Sequence, residues 1–481
     1  MNKTIIQTDY LKKTKMICTI GPATSDRDSL EKLIHIGMNG ARLNFSHGKH
    51  EEFVKIIRDI RQLSKKHHKP IAIIQDLQGP KIRVGEIENQ LYIKTNDIAY
   101  IGKNLKQDFD PTYHCIPIQY DFIPYLHANH TIFFNDGYLK AKVEEVKNDY
   151  AIIKFLNDGT ISSNKGINIP DTLIDEPCLT EKDLYDLSFG LKNDVDYIAI
   201  SFVQKAEDVL YTRDLINKVN PRIKIITKVE TKHAIENIES IIDVTDMIMV
   251  ARGDLAVEIG MENIPVWQSK IIQLCKDKKK PVIVATQMLE SMITNPRPTR
   301  AEVSDVANAA ISEVDDVMLS AESAVGKYPF DATEMMRSIV KTTENNNKLI
   351  YDKRYENIHH EQSNADAIAS AATLLANNMN CNLLVVATES GKSAIALASL
   401  RPNKTIIAVT QSEKVYNQLA MIWGIKSFLV DKTNTIDDLI DNSINILRNI
   451  NYVEKGAKLI FMTGLKVGIE GETNSLRIID I

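Results

Sequence analysis

Apolar residues fall along this chain in two alternating rhythms. Short runs that are almost wholly apolar, many of them β-branched, occur at residues 15–20, 41–45, 71–75, 197–202, 223–228, 247–251, 281–286 and 316–319. Most are separated by stretches of helical spacing, such as 25–36 and 266–278. A run without polar alternation marks a strand buried on both faces, as strands are in a parallel sheet covered by helices. Eight such strands alternating with helices predict an α/β fold built on a (β/α)8 TIM barrel.

The rhythm breaks between residues 84 and 177. There Gly, Asn and Asp turns separate short strands, as in Phe133-Phe134-Asn135-Asp136-Gly137 and Asn157-Asp158-Gly159, so a β-rich, barrel-like domain is expected after the third strand. Beyond residue 345 a polar stretch rich in Asn, Lys and His leads to runs at 383–387, 405–409, 426–430 and 458–462, which again alternate with helices as in an open α/β sheet. The expected organisation is a barrel domain in two parts, 1–83 and 178–344, an inserted lid domain at 84–177, and a C-terminal α/β domain at 345–481.

Composition narrows the function. With 481 residues, 44% hydrophobic and 25% charged, the chain is long enough for two or three domains with real cores. Its net charge of -5 offers no basic field for nucleic acid or an anionic membrane, so an anionic substrate must be held by local cations. The five cysteines are scattered and form no Cys-x-x-Cys pair, which argues against disulfides or a zinc site and fits a reducing cytoplasm. Neither a signal-peptide pattern nor a membrane-length apolar run is present, so a cytoplasmic protein is expected.

In a barrel of this type reactive groups gather where strands end. Residues 223–230, Ile-Lys-Ile-Ile-Thr-Lys-Val-Glu, and 247–258, Met-Ile-Met-Val-Ala-Arg-Gly-Asp-Leu-Ala-Val-Glu, are buried-strand patterns that stop abruptly in charge. They bring Lys228, Glu230, Arg252 and Asp254 to one mouth. Two carboxylates able to share a divalent ion, beside cations able to hold anions, outline a phosphoryl-transfer site. Either segment alone reads equally well as a surface ion pair. Other strand ends add Arg42, Asn44, Ser46, His47, Asp76, Lys81, Arg83 and Thr286, together with Ser320, Glu322 and Ser323, whose carboxyl and hydroxyls could pass a proton. Singly, such hydroxyls more often cap helices than catalyse.

These strings closely resemble the pyruvate kinase family over nearly the whole chain. Ile225-Ile226-Thr227-Lys228-Val229-Glu230 is similar to its active-site signature, Met249-Val250-Ala251-Arg252-Gly253-Asp254-Leu255 to its metal loop, and residues 297–308, Arg-Pro-Thr-Arg-Ala-Glu-Val-Ser-Asp-Val-Ala-Asn, to a third family string. The resemblance implies Mg²⁺, with Mn²⁺ as a substitute, on Glu230 and Asp254. It also implies Lys228 as the catalytic cation, Arg42, Gly253 and Thr286 as contacts to phosphoenolpyruvate, and Asn44, His47, Arg83 and Lys165 as contacts to ADP.

One departure stands out. The family's potassium site uses Asn and Ser, here Asn44 and Ser46, with an acid followed by Thr and a later Glu. Here Asp76 is followed by Leu77 and Gln78, and Lys81 replaces the Glu, which resembles the potassium-independent branch and implies that K⁺ is not required.

In the third domain Thr388-Glu389-Ser390-Gly391-Lys392-Ser393 is a Gly turn with hydroxyls before a helix, a phosphate cradle or a plain cap. The resemblance implies a phosphorylated-sugar effector there, a monophosphate given the acidic loop 464–472, and a homotetramer. The pairs His67-His68 and His359-His360 lack metal-ligand spacing and receive no function. The alternatives to a glycolytic kinase are a Schiff-base lyase using Lys228 and a catalytically silent sugar-phosphate sensor.

Overall fold

The computed structural model describes residues 12–481 apart from 104, 106–109, 173, 175–176, 347–362, 380, 382, 451, 454–455, 467 and 469–470. Eight parallel strands close into a barrel: β1 (Lys15–Ile20), β2 (Gly40–Asn44), β3 (Ala72–Asp76), β4 (Tyr197–Ile200), β5 (Lys224–Val229), β6 (Met247–Ala251), β7 (Val282–Ala285) and β8 (Asp316–Leu319). They are hydrogen-bonded in chain order, with β8 returning to β1. Each ends within two residues of a run that the hydrophobic pattern singled out.

Alternation along each strand sorts its side chains. Met16, Cys18 and Ile20 of β1 join the shell that contains Leu30, Leu33 and Ile34 of helix α1 (Arg27–Ile36), whereas Ile17 joins Ile74, Ala199, Ile226, Met249 and Ile283 in the barrel interior. Both faces are buried, so most strand positions are apolar, and the few polar ones, such as Gln75 and Thr227, are buried too. α1 begins where the Asp26 carboxylate accepts a hydrogen bond from the Ser29 amide at 2.9 Å, and it stops at Gly37, whose φ of 127° continues no helix. Helix α2 (His50–His67) follows β2, α3 (Glu181–Lys192) precedes β4, and α4 (Arg252–Ile259) starts directly at the end of β6.

Between β3 and α3 the chain builds a separate domain. A six-stranded, mostly antiparallel sheet and a two-stranded ribbon enclose a core that includes Ile101, Phe122, Phe134, Ile153 and Phe155. The turn Asn135-Asp136-Gly137 takes φ of 52°, 53° and 87°, the left-handed region these three residue types tolerate best. This domain touches the barrel beyond β5 and β6, where Lys232 lies 3.6 Å from Asp171 and Asn168 Nδ2 donates to Glu258 Oε1 at 3.0 Å.

The C-terminal unit is a five-stranded sheet of β9 (Leu383–Ala387), β10 (Thr405–Thr410), β11 (Ile425–Leu429), β12 (Lys458–Gly464) and β13 (Thr473–Asp480), ordered β11-β10-β9-β12-β13. Its helix α5 (Lys392–Ser399) follows β9. Four of these strands answer to predicted runs. The fifth, β13, does not: it pairs antiparallel with β12 and leaves most of its side chains exposed or half-buried, so it carries no buried apolar run.

This unit sits under the amino ends of the barrel strands. Lys15 Nζ donates to the Ile425 carbonyl at 2.6 Å, Tyr197 Oη to the Gln418 carbonyl at 3.0 Å, and the barrel interior runs on into Leu397, Met421 and Ile422. The carboxyl ends of the strands are left for chemistry. Among the described residues no helix is long and apolar enough to cross a membrane.

Candidate active site

Asp76, the last residue of β3, is the buried centre of the charged cluster. Arg42 Nε donates to its Oδ2 at 2.5 Å, and Lys228 Nζ lies 3.3 Å from its Oδ1. Arg42 also donates to Thr19 Oγ1 at 3.0 Å. The Lys228 ammonium reaches Ser201 Oγ at 2.7 Å and Glu230 Oε1 at 3.1 Å, so one cation serves two carboxylates.

These contacts set the protonation states. Burial alone would raise Asp76, but the charges of Arg42 and Lys228 outweigh it and hold the carboxyl below the usual range. Burial would likewise lower Lys228, and Asp76 and Glu230 more than reverse this, keeping an ammonium. Glu230 is pushed up to about 7 by burial; the nearby charges of Asp254 and Asp76 add to the rise and Lys228 opposes it.

Glu230 Oε2 is buried and has no hydrogen-bond partner among the described residues. An unsatisfied carboxylate oxygen that feels a second carboxylate is costly in a bare site, and the pair makes a fitting oxygen-ligand set for a hard divalent cation. The residues present therefore suit such an ion.

Across the mouth, Thr286 Oγ1 accepts from the Gly253 amide at 2.9 Å and donates to the Ala285 carbonyl at 2.6 Å. Thr286 and Gln287 take φ of 69° and 54°, a strained backbone of the kind that collects at functional sites. Arg252 is not an anion holder, contrary to the sequence-based expectation. Its guanidinium donates to the Thr286 carbonyl at 2.6 Å and pairs with Asp305 at 2.7 Å, so it braces the strained turn from behind. Glu322 is buried; its Oε1 accepts from the Leu289 amide at 3.1 Å and its Oε2 from the Ser320 amide at 2.8 Å, while burial raises its pKa. Ser323 Oγ donates to the Thr19 carbonyl at 2.9 Å.

Two family models match this chain: the pyruvate kinase barrel domain over residues 11–333 and the pyruvate kinase alpha/beta domain over 366–479. The chain belongs to the pyruvate kinase family. Similar relatives named pyruvate kinase come from Staphylococcus epidermidis, 39% identical over 472 residues covering 97% of this chain and 80% of the relative, and from Clostridium acetobutylicum, 38% identical over 474 residues covering 97% and 99%. A third, from Staphylococcus aureus, is 38% identical over 481 residues. This family of phosphotransferases accounts for the barrel, the β-rich insertion and the C-terminal α/β domain together.

Asn44 pairs in register with Asp76, and its Oδ1 accepts from the Ser46 amide at 3.1 Å. The Lys81 ammonium donates to Asp254 Oδ1 at 2.9 Å and lies 4.0 Å from Asp136 of the inserted domain. His47 is exposed. Arg83 bridges to Gly166 and donates to the Asn164 carbonyl at 2.9 Å, which brings it beside the exposed Lys165 at the junction of barrel and insertion.

In the C-terminal domain Thr388 Oγ1 accepts from the Gly391 amide at 2.9 Å, Gly391 has φ of 84°, and Ser393 Oγ meets Thr473 Oγ1 at 2.5 Å. Thr388, Ser390 and Ser393 line a small cavity of about 50 Å³ with Lys466, whereas Gly391 and Lys392 do not line it. Of the acidic loop at 464–472, Val467, Ile469 and Glu470 lie outside the described residues, as do His359 and His360.

Sequence reasoning missed two partners and the role of a third. Asp76 appeared only as a monovalent-cation ligand, and Thr19 and Ser201 not at all. Their one signal was their place at strand ends, since a buried counter-ion is defined by its neighbours.

Proposed function

We propose that this enzyme transfers the phosphoryl group of phosphoenolpyruvate to ADP, giving pyruvate and ATP in glycolysis. The observation that carries the reading is the Lys228 ammonium held between Asp76 and Glu230, with Glu230 Oε2 left unpaired beside Asp254. Mg²⁺, or Mn²⁺ in its place, held by Glu230 and Asp254 would supply the Lewis acid that draws charge from the phosphoryl and enolate oxygens.

The chain's own groups do the rest. Lys228 and Arg42 offset the charge of the phosphoryl group as it leaves the enol oxygen for the terminal oxygen of ADP. The Gly253 amide, at the start of α4, and Thr286 orient the substrate carboxylate once their mutual hydrogen bond opens toward it. Asn44, His47, Arg83 and Lys165 hold the nucleotide, and the inserted domain closes over it to exclude water. The enolate then takes a proton on carbon. Glu322, raised by burial and joined through backbone amides to the loops of Thr286 and Ser320, feeds that proton with Ser320, Ser323 and a bound water.

Lys81 supplies the fixed charge for which relatives of the potassium-dependent kind use K⁺. Its contact with Asp254 puts that ammonium at the edge of the substrate site. The hydroxyl-lined cavity of the C-terminal domain takes a phosphorylated-sugar effector, a monophosphate, and the active assembly is a cytoplasmic homotetramer. The testing experiment is pyruvate formation from phosphoenolpyruvate and ADP with Mg²⁺ in K⁺-free buffer, repeated with K⁺. Equal activity in both is expected. Activity only with K⁺ overturns the role of Lys81, and no pyruvate in either, sugar monophosphates included, overturns the reaction.

A further inference from the structure

We propose that Glu31, His35 and His67 form a binding site for a transition-metal ion of the Zn²⁺ class at the amino-end face of the barrel, remote from the substrate site. One ligand atom from each of the three lies within 4.8 Å of the other two. Glu31 and His35 are one turn apart on α1, and His67 is the last residue of α2. The two helices run side by side in the same direction, tied further back by Arg27, which donates to Asp59 at 3.0 Å and to Gln62 at 2.8 Å. The three ligands therefore sit on fixed elements.

The donor set is two imidazoles and one carboxylate, which suits Zn²⁺ and its neighbours in the first transition row and is poorly matched to Mg²⁺. The carboxylate already gathers positive charge: Lys66 Nζ lies 2.7 Å and His67 Nε2 2.6 Å from Glu31 Oε1. The His35 and His67 rings meet edge to face with centroids 4.5 Å apart. A metal entering between them takes over the place of the exposed Lys66 ammonium on Glu31 and replaces the His67–Glu31 hydrogen bond, the side chains rotating so that each ligand atom reaches a Zn–N or Zn–O length of about 2 Å. No spacing in the chain betrays this set, because the third ligand lies more than thirty residues from the first two and meets them only through helix packing.

His35 and His67 also line a cleft of about 810 Å³ between the barrel and the C-terminal domain, with His68 and Tyr416 on its wall. Three protein ligands leave a fourth position open to that cleft for water or a small anion, as in zinc sites that are not closed by protein. A metal there would pin the ends of α1 and α2 at the joint between the two domains.

The test uses the full chain, stripped with chelator, exchanged into buffer with excess Mg²⁺ to fill Glu230 and Asp254, and titrated with Zn²⁺ by calorimetry. One Zn²⁺ per chain is expected, and Glu31→Gln, His35→Asn and His67→Asn should each weaken it by about tenfold or more, as even loss of an outer-sphere partner costs that much. Circular dichroism and the thermal midpoint establish that each variant is folded. Lys66→Met, which removes the competing ammonium and no ligand, should tighten binding, so the proposal stays testable where a ligand variant does not fold. No Zn²⁺ bound in the presence of Mg²⁺, or binding that none of the four substitutions alters, overturns the site.

Discussion

At the scale of one residue the proposed chemistry rests most on Lys228. Its ammonium is fixed by Ser201, Asp76 and Glu230, so it needs no reorganisation when charge develops on a transferring group. Lys228→Met should lower kcat by about 10²–10³-fold, the usual cost of deleting one preorganised electrostatic contact, with a smaller effect on KM for phosphoenolpyruvate. Steady-state kinetics decide it, and a kcat within tenfold of wild type would remove Lys228 from the transition state. Lys228 and Glu230 stood out as candidates in the sequence because several buried runs end in charge together, where any one of them alone reads as a surface ion pair. Arg252 was misread for the same reason: it also follows such a run, but only the folded turn reveals that its guanidinium faces the Thr286 carbonyl and Asp305.

Elements meet where side chains alone do not decide, and the contact of α3 with β3 is the sharpest case. A Cβ on Gly190 of α3 would fall 1.9 Å from Gln75 Oε1 of β3, whose side chain is fully buried and donates through Nε2 to the Asp186 carbonyl at 2.6 Å. The amide has no solvent to swing into, so the methyl must displace the strand or the helix. Gly190→Ala should cost about 1–3 kcal/mol, although alanine is otherwise the better helix former, and a fall in the urea midpoint checks it. An unchanged or raised midpoint would mean that Gln75 repacks freely. At this scale the eight barrel strands were readable because both of their faces are buried. The edge strand β13 was not, since its pattern of exposed and half-buried positions matches an ordinary loop. The need for Gly190 was equally hidden, being set by a residue more than a hundred positions away.

The molecule as a whole depends on the joint beneath the barrel. Arg401 of the C-terminal domain pairs with Asp315, just before β8, at 2.8 and 3.2 Å, and Asp315 also accepts from the Trp423 amide at 3.1 Å. Both partners are buried, so Arg401→Ala strands a carboxylate and should cost about 3–5 kcal/mol in unfolding experiments. Lys13 supplies a second, pH-dependent probe of the same joint. Its Nζ donates to the Pro402 carbonyl at 3.3 Å and lies 4.9 Å from the centre of the Trp423 ring. Burial pushes this lysine down to about 8, with the charge of Glu344 opposing, against an ordinary value of 10.5. Below pH 8 both folded and unfolded chains carry the proton, and the folded one bears the full cost of burying a charge. Between pH 8 and 10.5 the folded chain has released a proton that the unfolded chain still holds, so rising pH stabilises the fold by up to ~3 kcal/mol. Lys13→Met has no proton to release and lacks this component. Urea midpoints of the two proteins, measured in steps across that window, should therefore move apart in favour of wild type as pH rises. A constant difference would place the Lys13 ammonium in solvent and leave the joint without a titrating group at this position.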